Sequence, residues 1–200
     1  RDAIGMGAND VVLPVVPMFH ANAWGLALSC PAVGSNMVMP GAQMDGASIY
    51  ELLDTEKVTI TAAVPTVWLM LLNHLQENKL KLPHLEKVII GGSAVPERIL
   101  RAFEEEFEVD VVHAWGMTET SPLGTLGTLP PHLVDADIDT RMEQKLKQGR
   151  PPFGVELKIV NDEGEVLPND GETSGRLMVR GAAIAAGYFK GVGGDVLDED

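Results

Sequence analysis

Between residues 58 and 113 the strand and helix signals alternate, and that alternation limits what this chain can fold into more than any other feature. Val58-Thr59-Ile60-Thr61-Ala62-Ala63 is a short β-branched run. Pro65, suited to the first turn of a helix, opens a stretch through about Asn78 whose Val67, Leu71, Leu72 and Leu75 share one face. Lys87-Val88-Ile89-Ile90 is a continuous apolar strand that ends at Gly91-Gly92. Pro96 starts another helix, with Ile99, Leu100, Phe103 and Phe107 at helical spacing and Arg98, Arg101, Glu104 and Glu105 on the wet face. Val109 to His113 is a third strand. Short connections between these elements predict parallel βαβ units. Upstream, Asp10 to Val16 and Ser35 to Met39 read as further strands and Ala47 to Lys57 as a helix. The fold class expected is therefore α/β, an open, mostly parallel sheet with flanking helices.

After Thr125 the character changes. Residues 126–149 carry Pro130-Pro131, scattered Asp and a polar helical stretch around Met142 to Lys147, which reads as a surface excursion. From Gly149 the pattern is β: Val155 to Val160, a turn at Asn161-Asp162-Glu163-Gly164, then Gly175 to Arg180, as in part of a small antiparallel sheet or barrel. A boundary near 149 divides the chain into an α/β unit over 1–148 and a β unit over 149–200.

A formal net charge of −14 argues against a nucleic-acid surface and against a generic anionic-membrane binder. An acidic chain that binds phosphates must do so with backbone amides, a metal ion, or a few placed Arg and Lys. The single cysteine, Cys30, cannot form an internal disulfide and reads as a small buried hydrophobe. That leans toward a reducing, cytoplasmic compartment, compatible with peripheral membrane contact. No apolar run is long enough to span a bilayer, since Val11 to Phe19 is broken by Pro14 and Pro17, so stable membrane insertion is not expected. The chain opens on Arg1-Asp2 and closes on Asp198-Glu199-Asp200, and both natural ends are expected to lie outside it.

Ligands of an open parallel sheet bind beyond the carboxyl ends of its strands. One such end is Gly91-Gly92-Ser93-Ala94-Val95-Pro96, where small residues let a flat ligand lie against the main chain. The same glycines equally suit a tight strand-to-helix turn. The other end, His113 to Thr120, carries an aromatic ring (Trp115), a hinge (Gly116), then hydroxyl, carboxylate, hydroxyl (Thr118, Glu119, Thr120). A ring can stack on a purine, and a hydroxyl beside a carboxylate suits a phosphate with its Mg²⁺. Read without a ligand, Thr118 or Thr120 is a helix N-cap and Glu119 an acid favoured by the dipole.

His113-Ala114-Trp115-Gly116-Met117-Thr118-Glu119-Thr120 resembles the Tyr-Gly-Met/Leu-Thr-Glu core of the adenylate-forming (AMP-binding) superfamily of acyl-CoA synthetases, peptide-synthetase adenylation domains and luciferases. Gly91 to Pro96 resembles its Gly-Gly-(Ala/Ser)-Ala-x-Pro segment. Gly149-Arg150-Pro151 resembles the Gly-(Arg/Lys)-Pro entry to its β subdomain, and Gly175 to Gly181 followed by Gly187-Tyr188-Phe189 resembles a later segment. Four matches in order cover nearly the whole chain. Pro17-Met18-Phe19-His20-Ala21-Asn22-Ala23-Trp24-Gly25 is similar to a stretch of fatty-acyl-CoA ligases and methylthiopropionate-type ligases.

The resemblance implies an acid–thiol ligase that takes a medium- or long-chain fatty acid, or a related carboxylate, through an acyl-adenylate to its CoA thioester. It implies ATP, Mg²⁺ and CoA as cofactors or co-substrates, and allows a homodimer. Residue by residue, it implies that Gly91, Gly92, Ser93 and Ala94 line the adenine and acyl pocket and that Trp115 stacks on adenine. His113, Ala114, Gly116 and Met117 would complete the nucleotide site. Thr118 would hold the α-phosphate and Glu119 Mg²⁺. His20 would lie near the reacting carboxylate, and Trp24 would gate the acyl tunnel. His113 stands where many relatives carry Gln or Asn, Ala114 where many carry Gly, and Arg176 where Glu is usual. A phosphate loop ending in Lys-Gly, a ribose-binding Asp and a C-terminal Lys are not in these residues, so the segment is expected to be inactive alone. The alternatives are a non-catalytic nucleotide or acyl binding module and an amino-acid-activating adenylation domain. Gly191-Val192-Gly193-Gly194-Asp195 lacks the Lys-Ser/Thr of a phosphate loop, and no Gly-x-Ser-x-Gly elbow supports an esterase.

Overall fold

The computed structural model describes residues 3–193. Six strands form one sheet: β1 Val11–Pro14, β2 Asn36–Met37, β3 Ile60–Ala63, β4 Lys87–Ile90, β5 Asp110–Gly116 and β6 Leu123–Leu126. Their spatial order is β2-β1-β3-β4-β5-β6. All pairs are parallel except the last, where β6 turns back antiparallel on β5. Two further strands, β7 Val155–Val160 and β8 Arg176–Gly181, make a separate antiparallel ribbon. The expected α/β sheet is therefore present, with its strands joined through helices Leu26–Val33, Gly46–Thr55, Pro65–Asn78 and Glu97–Arg101.

Side chains alternate across a strand, and here the alternation sorts the apolar residues into two cores. Leu13, Ala63, Val88, Ile90 and Val111 face a large core with Trp68, Leu71, Leu72, Leu75 and Phe103. Trp68 sets its ring edge-on to Phe103 at 5.8 Å and donates its indole N–H to the Ala63 carbonyl at 3.1 Å. Val12, Ile60, Ala62 and Ile89 face a lighter core with Met6, Ala23, Leu26 and Cys30. Burial raises the Cys30 thiol pKa, as befits the small buried hydrophobe expected there. This second face is thinly filled, and it carries the cavity described below.

The helix expected from Pro96 runs as α-helix only over Glu97–Arg101 and widens into a π turn over Ala102–Glu106. The stretch read as a surface excursion is anchored instead. Helix Ile138–Leu146 lays Met142 into the large core and buries Lys145, which reaches Glu104, and Asp110 at 2.6 Å. Arg141 adds a 3.1 Å contact to Glu104. A buried lysine is tolerable only with such partners. β6 and helix Leu26–Val33 have no counterpart in the sequence reading.

Asp45 caps helix Gly46–Thr55, accepting from the Ala47 and Ser48 amides at 3.1 Å each and from the Ser48 hydroxyl at 2.8 Å. These donors lower the Asp45 pKa, led by the Ser48 amide. A carboxyl with a depressed folded pKa stabilises above its unfolded value and loses that contribution as pH falls through the folded one. Asp45→Ala is expected to lower the melting temperature by a few degrees at neutral pH. The difference should shrink in acid, and a pH-independent difference in thermal melts would contradict the cap.

Candidate active site

The chain leaves the end of β1 through Val15-Val16-Pro17 and enters a turn in which Ala21, Asn22, Ala23 and Trp24 all take positive φ, 45° to 54°. Left-handed backbone costs L-residues about 1–2 kcal/mol each. Such strain is retained where the surroundings fix it and often where a site needs it. Ala23 is fully buried in the lighter core, and Gly25 closes the turn at φ 78°. The result swings Trp24 over the end of β4. A Cβ on Gly91 would lie 3.3 Å from Trp24 Cη2 and 3.0 Å from the Ala114 carbonyl oxygen. At Gly92, where φ is +84°, the Trp24 ring is again within 3.9 Å of that position. The glycines are thus a surface pressed against an indole as well as a turn.

On the other side, β5 and β6 pair Ala114 with Leu126, Trp115 with Thr125 and Gly116 with Leu123, with a shift of register between Trp115 and Gly116. Trp115 lies on Gly124, where an added Cβ would stand 2.2 Å from Trp115 Cζ3. Thr118–Thr120 is one turn of 3₁₀ helix. Thr120 is its clasp: its buried hydroxyl accepts from the Met117 amide at 2.9 Å and lies 2.6 Å from the Pro122 carbonyl.

Between these walls lies a cavity of about 270 Å³. Its interior is apolar, built from Met6, Leu26, Ala62, Ile89, Leu123 and Leu126. Trp24, Gly91, Gly92, Ala114, Trp115 and Gly116 line it as well, and His20, Met117 and Thr118 bring polar and flexible groups to it. Of these, His20, Gly92, Gly116, Met117 and Thr118 are exposed. Among the described residues, no Asp or Glu lines the cavity.

The profile of the AMP-binding enzyme family matches residues 1–189. The chain belongs to that family. A medium-chain-fatty-acid–CoA ligase of Ectopseudomonas oleovorans is 47% identical over 198 residues, which are 99% of this chain and 36% of that protein. A 3-methylmercaptopropionyl-CoA ligase of Ruegeria lacuscaerulensis is 48% identical over 190 residues, 95% of this chain and 35% of that protein. Among solved structures, a long-chain-fatty-acid-CoA ligase from Archaeoglobus fulgidus superposes with a TM-score of 0.76 at 26% identity, over 93% of this chain and 37% of that one. The chain therefore spans about a third of the length of these relatives.

Nine of the residues that the AMP-binding resemblance marks line this cavity together: His20, Trp24, Gly91, Gly92, Ala114, Trp115, Gly116, Met117 and Thr118. Four others lie elsewhere. Ser93 and Ala94 are exposed beyond the end of β4. His113 is 1% exposed and, by strand alternation, faces away from Ala114 toward the end of helix Ile138–Leu146. Burial lowers its pKa, and neither ring nitrogen has a hydrogen-bond partner among the described residues. Nearby main-chain groups of Ser93 and Leu146 offset part of the shift without closing a hydrogen bond.

Glu119 sits just past Thr118, and its carboxylate accepts from the Tyr188 phenol. That bond lowers the Glu119 pKa and raises that of Tyr188. Among the described residues no group of three or more His, Cys, Asp or Glu side chains could hold a metal on its own. A lone carboxylate with a lowered pKa still fits Mg²⁺ bound largely by substrate phosphates, the usual arrangement for that ion. The sequence reading missed Tyr188 as a partner of Glu119, along with the β6 wall; no local spacing could join positions 69 apart.

Proposed function

We propose that this chain forms the adenylate and acyl corner of an ATP-dependent CoA ligase that activates a medium- or long-chain fatty acid, or a related carboxylate. One observation carries the reading: an apolar cavity walled by Trp24 and two glycines, with His20 and Thr118 among its few polar groups. An aliphatic tail fits such walls, and its carboxylate can remain among the polar groups.

In this reading the carboxylate oxygen attacks the α-phosphorus of ATP, and the bond to the β-phosphate breaks to release pyrophosphate. The CoA thiolate then adds to the acyl carbonyl and AMP leaves. The nucleophile of the first step is already an anion, so the site needs orientation and charge neutralisation more than a base. Thr118 offers its hydroxyl to the α-phosphate, Trp115 its ring to adenine, and His20 an imidazole to the acid. Gly91, Gly92, Ser93, Ala94, Gly116 and Met117 supply main chain to the nucleotide. Glu119 would hold Mg²⁺ carried on the phosphates, and an ion there would supply charge neutralisation. We place a boundary near 149, with the ribbon β7–β8 beginning the second unit, and infer that this segment alone does not complete the reaction.

An apolar lining favours a fatty acid over an α-amino acid, since among the described lining residues an ammonium group would meet no carboxylate. Pyrophosphate release by the full-length protein across a panel of carboxylic acids tests the proposal. Fatty acids are expected to give the highest kcat/KM. Amino acids giving the highest value, or no acid working, would overturn it.

A further inference from the structure

After β8 the chain doubles back onto the turn that carries Glu119. The Ala185 amide donates to the Glu119 main-chain carbonyl at 2.8 Å, and the Tyr188 phenol donates to Glu119 Oε1. One short stretch thus holds a single residue by backbone and by side chain. Tyr188 is 47% exposed and belongs to neither apolar core. Its ring contributes little to packing, so its polar end is the part with a partner to explain. A free glutamate side chain has several accessible rotamers and loses that freedom on binding a ligand. A hydrogen bond to a charged group is stronger than one between neutral groups and sets the orientation of the carboxylate.

We propose that Tyr188 is a positioning residue for the adenylation step: it fixes the Glu119 carboxylate through Oε1 so that Oε2 is presented to the nucleotide-bound cation. This rests on the reading of Glu119 as a Mg²⁺ ligand. Groups that hydrogen-bond a metal ligand commonly change metal affinity or activity about 10–100-fold when removed. The competing role is a latch that merely ties the segment after β8 to the sheet. A latch would alter stability and leave the cation requirement unchanged.

The test uses the full-length ligase as wild type, Tyr188→Phe, Glu119→Ala and the double variant. Three quantities are read: the Mg²⁺ concentration for half-maximal pyrophosphate release, the calorimetric affinity for ATP with and without Mg²⁺, and KM for the acid. Tyr188→Phe is expected to raise the Mg²⁺ requirement about tenfold and to weaken Mg-ATP binding by a similar factor. Metal-free ATP affinity and KM for the acid should stay unchanged, and the phenyl substitution should add nothing in the Glu119→Ala background. An unchanged Mg²⁺ requirement in Tyr188→Phe, with Glu119→Ala inactive, would overturn the positioning role and leave the proposed function standing. So would a lower melting temperature as its only effect. Full turnover with a normal Mg²⁺ requirement in Glu119→Ala would remove the metal role and the positioning role together.

Discussion

Glu119→Ala in the full-length protein is expected, under the proposed function, to cut Mg-dependent pyrophosphate release by about 10²–10³-fold, the scale seen when one charge-stabilising group is removed from an active site. The fold should survive. Glu119 is partly exposed, its main-chain carbonyl keeps the Ala185 bond, and the side chain's hydrogen bond is to Tyr188. If Glu119 is the Mg²⁺ ligand proposed above, excess Mg²⁺ should restore only part of the rate, because it refills the site without replacing the lost carboxylate. Glu119→Gln separates charge from shape: the amide oxygen can still accept from Tyr188, yet the negative charge is gone. If charge at this position matters to the cation, the two variants should be about equally impaired. Near wild-type turnover in Glu119→Gln would remove the carboxylate from the metal role and leave Thr118 and the main chain to carry the phosphates.

The parts of this molecule that the sequence made legible are those set by local periodicity. Helix Pro65–Asn78 and strand Lys87–Ile90 have the bounds expected of them, because Pro65 fixes the helix start and Gly91-Gly92 stops the strand. Strand Val109–His113 shifted and lengthened for a tertiary reason: β5 continues to Gly116 because β6 returns antiparallel along it. β6 itself, Leu-Gly-Thr-Leu, is too short and too glycine-bearing to announce a strand. The turn at Ala21–Trp24 was equally hidden, since alanine, asparagine and tryptophan carry no signal for four successive left-handed residues. At the site, short motifs were enough to bring Gly91, Trp115 and Thr118 to one cavity, because each lies at a strand end of the same sheet. Strand alternation placed His113 on the opposite face, and only the folded chain shows that the Gly187-Tyr188 motif reaches Glu119.

Gly116→Ala is the second large effect, and it follows from the corner where β5 gives way to the Thr118–Thr120 turn. A methyl on Gly116 would stand 1.8 Å from the Pro122 carbonyl oxygen and 3.1 Å from Leu123 Cα. Both neighbours are backbone, so no side chain can rotate away. The strand must move by more than an ångström. Pro122 also receives the Thr120 hydroxyl at 2.6 Å, so the movement pulls on the clasp that orders Thr118 and Glu119. Leu123, the residue paired with Gly116, lines the cavity and would be carried off with it. Overpacking at a backbone contact of this kind costs about 3 kcal/mol, the upper part of the usual range. Gly41→Ala is the matched control, since an added Cβ there meets nothing within 4 Å. Its effect should stay within about 0.5 kcal/mol, as for most surface substitutions. Urea unfolding of both variants measures the difference. For Gly116→Ala, kcat/KM for the acid should fall along with stability, because the cavity wall and the Thr118–Thr120 turn share the displaced strand. A Gly116→Ala protein as stable and as active as the Gly41→Ala control would mean that β6 is not packed against Gly116 as described.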